Sequence, residues 1–230
     1  MRDVPVRRVD LGYFVRPGSE TETGRPHVEP VLGYLIVLPD GALVVDTGMG
    51  SHPEVDAHYQ PRRNRLDAAL GAVGSRIDDI RWVANCHLHF DHCGGNPALP
   101  GRPIFTQRVE LETARGSVNY TLPELVDASG LTYELLDGEA EILPGVVVIP
   151  TPGHTAGHQS VVVRCPDGTV IVAGQSHDTA TAYGRDTLAW RASRDGHTHE
   201  VADIPAWIPR LQQFDPAQVV FAHDHSVWRP

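Results

Sequence analysis

Short apolar runs broken by Gly, Pro and Asp dominate the chain. Those at 31–38, 42–46, 80–85, 146–151, 159–164, 169–174 and 218–222 are rich in Val and Ile, and each predicts a strand. Pro39-Asp40-Gly41 and Pro166-Asp167-Gly168 stand between consecutive runs, one in each half of the chain, and predict hairpins. Helical spacing recurs at 64–73, 107–114, 122–128 and 204–214, the last with Ile204, Trp207, Ile208 and Leu211 on one stripe. Strands and helices are mixed in both halves, which predicts an α/β layered fold of two similar halves. The least patterned stretch, 16–30, is expected to be a loop or lid. No Pro/Ser-rich linker divides the sequence, so one domain over residues 1–230 is expected.

Composition narrows the function. Nineteen basic residues against 29 acidic give a formal net charge of −10, which disfavours a phosphate backbone as partner. All the basic residues are Arg, so a Schiff-base lysine and a P-loop lysine are excluded. Apolar runs fall far short of the ~18 residues of a membrane span. The N-terminal Met-Arg-Asp-Val-Pro-Val-Arg-Arg lacks the apolar core of a secretory signal, so a cytoplasmic location is expected. Three cysteines (Cys86, Cys93, Cys165) with no Cys-x-x-Cys pair make neither a disulfide framework nor a Cys-rich zinc finger. Thirteen histidines, by contrast, point to chemistry that needs imidazole.

The densest cluster is Asn85-Cys86-His87-Leu88-His89-Phe90-Asp91-His92-Cys93-Gly94-Gly95-Asn96, directly after a predicted strand. His87 and His89, two apart on extended backbone, point the same way and can share one ion. Asp91 and His92 follow a change of direction and face a neighbouring position, while Gly94-Gly95 lets backbone pass close by. Four ligands within six residues suit one or two divalent metals. Cys86 and Cys93 flank the set, either as further metal ligands or, since His and Asp already fill the coordination, as small buried residues, the reading preferred here. A second cluster, Thr151-Pro152-Gly153-His154-Thr155-Ala156-Gly157-His158, presents His154 at a tight loop as the third imidazole for the first ion. His158 is left to hydrogen-bond backbone. Near the chain end, His223 again follows a strand and can complete the second set.

Taken together these elements resemble the metallo-β-lactamase superfamily, whose His-x-His-x-Asp-His motif is matched by His87 to His92. Within it, His-Leu-His-Phe-Asp-His-Cys-Gly-Gly-Asn, Thr-Pro-Gly-His-Thr-Ala-Gly-His-Gln-Ser and Phe-Ala-His-Asp look most like the N-acyl-homoserine lactonases. The resemblance implies a four-layer αββα sandwich with the site along one edge. It also implies that His87, His89 and His154 hold one metal and that Asp91, His92 and His223 hold another, zinc being the expected ion. Asp46, in Val44-Val45-Asp46-Thr47-Gly48, would stand behind them, or alternatively form an Asp-Thr-Gly turn. One departure is visible. Where the family carries an Asp that bridges both metals, this chain has Gln175. Where the lactonases place a substrate-binding Tyr, it has Asp178, so that Tyr is missing unless Tyr183 reaches in. Gln175 and Asp178 are therefore candidates for a metal or supporting role.

The function expected is metal-dependent hydrolysis of an ester or lactone by a metal-activated water, with Asp91 carrying the proton. The alternatives are a metal-binding protein of the same fold with little turnover, and a thioester or other hydrolase. No Gly-x-Ser-x-Gly elbow offers a serine nucleophile. A small-molecule substrate is expected, with no nucleic acid and no membrane. The segments 16–30, 59–65 and 178–199, all read as loops, are expected to contact it. Oligomeric state is left open.

Overall fold

The computed structural model describes residues 6–21, 23–197 and 204–230. Its first sheet is built from β1 (Val6–Arg16), β2 (His27–Leu38), β3 (Gly41–Val45), β4 (Arg62–Arg63), β5 (Ile80–Ala84), β6 (Pro103–Gln107) and β7 (Thr132–Leu136), in the order β4-β1-β2-β3-β5-β6-β7. The second comprises β8 (Ala140–Leu143), β9 (Val146–Pro150), β10 (Gln159–Cys165), β11 (Gly168–Val172) and β12 (Pro216–Val220), in the order β12-β11-β10-β9-β8. Hairpins join β2 to β3 and β10 to β11, at the two Pro-Asp-Gly turns. The β3/β5, β5/β6, β6/β7 and β11/β12 pairs are parallel, so both sheets are mixed.

Alternation within each strand explains the layering. In β2, Leu32, Tyr34 and Ile36 point between the sheets while Val31 and Leu35 point outward; in β9, Val146 and Val148 point inward and Val147 and Ile149 outward. Both faces are buried, which is why these strands read as continuous apolar runs. The outer face of the first sheet is covered by α2 (Leu66–Ala72) through Leu66, Ala69 and Leu70. The outer face of the second is covered by α5 (Ala180–Arg194) and α6 (Ile208–Gln212) through Ala180, Tyr183, Ile208 and Leu211. Three further helices, α1 (Pro53–Tyr59), α3 (Arg108–Gly116) and α4 (Pro123–Val126), lie at the periphery, the last two packing on Leu88 and Cys93. The result is the expected αββα sandwich.

Several local expectations are corrected. The stretch 16–30 is not a loop throughout: β1 ends at Arg16, β2 begins at His27, and these two residues pair across an antiparallel ladder. Charged and prolyl residues at the outer end of this hairpin mask its alternation. Only 17–26 connects the strands, and Glu22 lies outside the described residues. The 59–65 segment contains β4, an edge strand on Gly12 and Tyr13. The 178–199 segment is mostly α5, whose start is capped by Thr179, its hydroxyl accepting the Ala182 N–H at 3.1 Å. That helix buries Ala180, Tyr183 and Thr187, a stripe too small and polar to register as helical periodicity. Thr198 and His199 of the segment lie outside the described residues.

The two sheets are pinned together at one edge. Leu32 N–H donates to the Ala222 carbonyl (2.9 Å), and Gln159 N–H to the Cys86 carbonyl (2.8 Å). Strand ends from both halves, those following β3, β5, β9, β11 and β12, therefore open onto one place. Among the described residues, no helix is long and apolar enough to cross a membrane.

Candidate metal centre

The His-rich loop after β5 is held closed by its own ends. Asn96 Nδ2 donates to Asn85 Oδ1 (2.8 Å), Asn85 Nδ2 to the His92 carbonyl (3.0 Å), and Thr47 Oγ1 to Asn96 Oδ1 (2.8 Å). Gly94 passes so close to the 48–50 turn that a Cβ there would stand 1.9 Å from Gly50 N, which only glycine avoids. The loop cannot relax without losing buried hydrogen bonds.

Among the described residues three donor groups form, Cys86 with His87 and His92, and two triads, His87–His89–His154 and Asp91–His92–His223. Nε2 of His87 and Nε2 of His154 stand 3.0 and 3.2 Å from Nδ1 of His89. Nearby, one carboxylate oxygen of Asp91 lies 3.4 Å from both His92 Nε2 and His223 Nε2, which are 3.2 Å from each other. Within each triad the donor atoms all fall within 4.8 Å of one another.

The groups behind the triads set which ring nitrogens face inward. Asp46, buried and at φ 60°, accepts the His92 Nδ1–H at 3.0 Å and the Cys86 N–H at 2.9 Å. It is a carboxylate behind the site, and the Asp-Thr-Gly turn is how it gets there. His223 Nδ1–H donates to the Pro30 carbonyl at 2.8 Å. Both rings are thereby fixed with Nε2 toward Asp91. The Cys86 Sγ donates to Asp46 at 2.9 Å, and burial pushes this thiol up to about 12, so it stays protonated behind the triads. Burial likewise depresses His89 to about 4, against the pull of Asp91, leaving a neutral ring with a free lone pair. Asp91 is driven the other way. Burial opposes its ionisation, but His92, His223 and His89 prevail and hold its carboxyl well below the usual range.

This donor set fits divalent ions. Unprotonated imidazole nitrogens about 3 Å apart repel unless a cation lies between them, and borderline-soft zinc accepts nitrogen and carboxylate oxygen alike.

The remaining candidates separate. Gln175 is buried and lines the same cleft as His89, Asp91 and His154. Its N–H donates to His158 Nε2 (3.0 Å), whose Nδ1 in turn faces the Thr151 carbonyl (3.1 Å); His158 thus supports backbone, as expected. Asp178 is exposed and belongs to neither triad. Tyr183 does not reach in. It is wholly buried under the second sheet, where its hydroxyl accepts from Gln212 Nε2 at 3.0 Å.

A cleft of about 720 Å³ lies over the triads. Its walls include Arg16 and Tyr59, from two of the segments expected to contact substrate, and Phe90 of the His-rich motif, and they bring in Phe14, Tyr120 and Leu122, which no motif marks. Tyr59 stacks on Phe90 with ring centres 5.1 Å apart, and Phe14 meets Tyr59 edge-on at 5.4 Å. Arg16 is engaged by Glu29 at Nε and Nη2, at 2.5 and 2.8 Å. Phe14 and Arg16 belong to the strand hidden from the sequence reading, and reach the site only because β1 pairs with β2.

Comparison with known proteins agrees with this geometry. The metallo-β-lactamase superfamily profile matches residues 28–223. An N-acyl homoserine lactonase of a Bacillus species is 37% identical over 151 residues, 59% of this chain and 58% of its own length. The N-acyl homoserine lactonase AttM of Rhizobium radiobacter is 26% identical over 231 residues, covering 89% of this chain and 86% of its own. A solved N-acyl homoserine lactone hydrolase, with N-hexanoyl-L-homoserine at its catalytic metal center, superposes with TM-score 0.71 at 26% identity over 96% of this chain and 93% of that one. In sequence, the chain spans about six-tenths of the length of the Bacillus relatives it matches.

Proposed function

The chain belongs to the metallo-β-lactamase superfamily, and we propose that it is a metal-dependent hydrolase of a lactone or ester, acting through His87, His89 and His154 on one ion and Asp91, His92 and His223 on a second. The observation that carries this reading is the convergence of two three-ligand groups at one cleft, which His89 and His154 line from the first group and Asp91 from the second. Divalent ions held there, zinc foremost, would acidify a water and polarise the carbonyl under attack. Asp91, 3.4 Å from both His92 and His223, would accept the proton of that water and return it to the departing alkoxide. The Phe14, Tyr59 and Phe90 rings form an apolar wall suited to an acyl chain. N-acyl homoserine lactones, the substrates named for the lactonase relatives, are the first substrate class to try.

A second reading, a metal-binding protein with little turnover, is favoured by one feature: Gln175, a neutral amide, lines the cleft where the resemblance leads one to expect a carboxylate. Thioester hydrolysis is the other variant. A panel of N-acyl homoserine lactones, aryl esters, thioesters and β-lactams, run with metal-loaded protein, separates them. Turnover of the lactones supports the first reading, and metal uptake without turnover of any compound supports the second. The proposal takes residues 1–230 as one such domain and places it in the cytoplasm, which limited proteolysis and fractionation test.

A further inference from the structure

Glu110 has no part in the chemistry described so far, yet it is fully buried in the first turn of α3. An acidic residue in a first helical turn is ordinarily explained by the helix dipole, but that effect needs no burial. A buried carboxylate persists only when its oxygens are satisfied, and the partners of Glu110 all lie outside its helix. Its Oε1 accepts the Leu88 N–H at 2.8 Å and the Tyr120 hydroxyl, and its Oε2 accepts the Thr155 hydroxyl at 2.8 Å.

Each partner leads to the same triad. Leu88 stands between His87 and His89, Thr155 follows His154, and the Tyr120 ring packs 4.6 Å from the His89 ring. The 154–158 loop also lies directly on this turn, for a Cβ on Gly157 would come within 2.4 Å of Glu110 Cβ. The Asp91 triad has no such contact; its orientation comes from Asp46 and Pro30. The three imidazoles, moreover, contain no anion of their own.

We infer that Glu110 is a positioning residue that fixes His87, His89 and His154 relative to one another and supplies the negative charge their neutral set lacks, so that it governs one of two metal positions selectively. The inference rests on reading those histidines as ligands.

The test uses cobalt(II)-loaded protein, following visible absorption and stepwise release to a graded chelator, with thermal melts to confirm folding. Glu110→Gln keeps shape and hydrogen-bonding capacity, because the amide can donate to a hydroxyl, but removes the charge. Thr155→Val leaves Glu110 in place and cuts one arm, so it answers the question even if Glu110→Gln fails to fold. Each variant is expected to release one equivalent at least about tenfold more readily, with altered cobalt bands, while the other equivalent stays as in wild type. Unchanged spectra and release in folded variants would overturn the role of Glu110, as would equal weakening of both equivalents. Wild-type protein that takes up no cobalt would instead overturn the ligand reading on which it rests.

Discussion

Asp46 and His92, 46 positions apart in the chain, share a 3.0 Å hydrogen bond that turns the imidazole so that Nε2 faces Asp91. Replacing the carboxylate by an amide leaves the backbone at φ 60° tolerable, since Asn adopts that region readily, but weakens the acceptor. Asp46→Asn is expected to fold normally and to lose ten- to a hundredfold in affinity for the ion of the Asp91 triad. Chelator titration of variant against wild type measures this, and unchanged release would remove Asp46 from the metal centre.

Metal content is the most direct check on the ligand set. Purified protein should carry about one to two equivalents of zinc or a similar ion, by elemental analysis. Chelation should abolish lactone or ester hydrolysis and added metal restore it, and His89→Ala or Asp91→Asn should leave no measurable turnover. Activity that survives all three would require a nucleophile elsewhere.

At the position proposed for it between the two ions, Gln175 would offer only a neutral carbonyl oxygen, whereas a carboxylate would add negative charge. Gln175→Asp should hold the second ion more tightly, converting two separated release steps toward one. Asp178→Ala should leave both steps where they are, because Asp178 is exposed and outside both triads. Loss of an ion in Asp178→Ala would show that this side chain moves in.

The Arg16–Glu29 pair makes stability pH-dependent. Burial works against ionisation of Glu29, but the hydrogen bond from Arg16 prevails, and its pKa falls below the ordinary value. The unfolded chain therefore binds its proton first as pH drops. The stabilisation is complete above the unfolded carboxyl value of ~4.3 and is lost as pH falls through the lower folded value. Thermal melts between neutral pH and acid should show Glu29→Gln with a shallower acid decline than wild type; parallel curves would argue against the linkage.

Tyr59 stacks on Phe90 at 5.1 Å and forms part of the apolar wall. Tyr59→Ala should raise KM for long-chain acyl substrates by about three- to tenfold, with kcat and short-chain substrates little affected. An equal effect at every chain length would place the acyl group elsewhere.

What the sequence determined by itself is what neighbours along the chain can encode. Strands buried on both faces announce themselves as Val/Ile runs, Pro-Asp-Gly marks the hairpins, and six residues from His87 to His92 carry four candidate ligands. These features need only period-two geometry and local turn chemistry. β1, α5, and the short β6, β7 and β8 escaped because their buried stripes are small, polar or interrupted, so packing and not pattern decides them. Tertiary structure alone decided the rest of the site. His92 and His223, 131 positions apart, meet at 3.2 Å because β3, β5 and the β11/β12 pair end at one edge. The same edge brings Pro30 to His223 and Glu110 to Leu88 and Thr155. A carbonyl or a buried carboxylate carries no motif of its own. Its role is set by which strand ends the sheet order makes neighbours, since a hydrogen bond acts only over about 3 Å, and that distance is fixed by the fold.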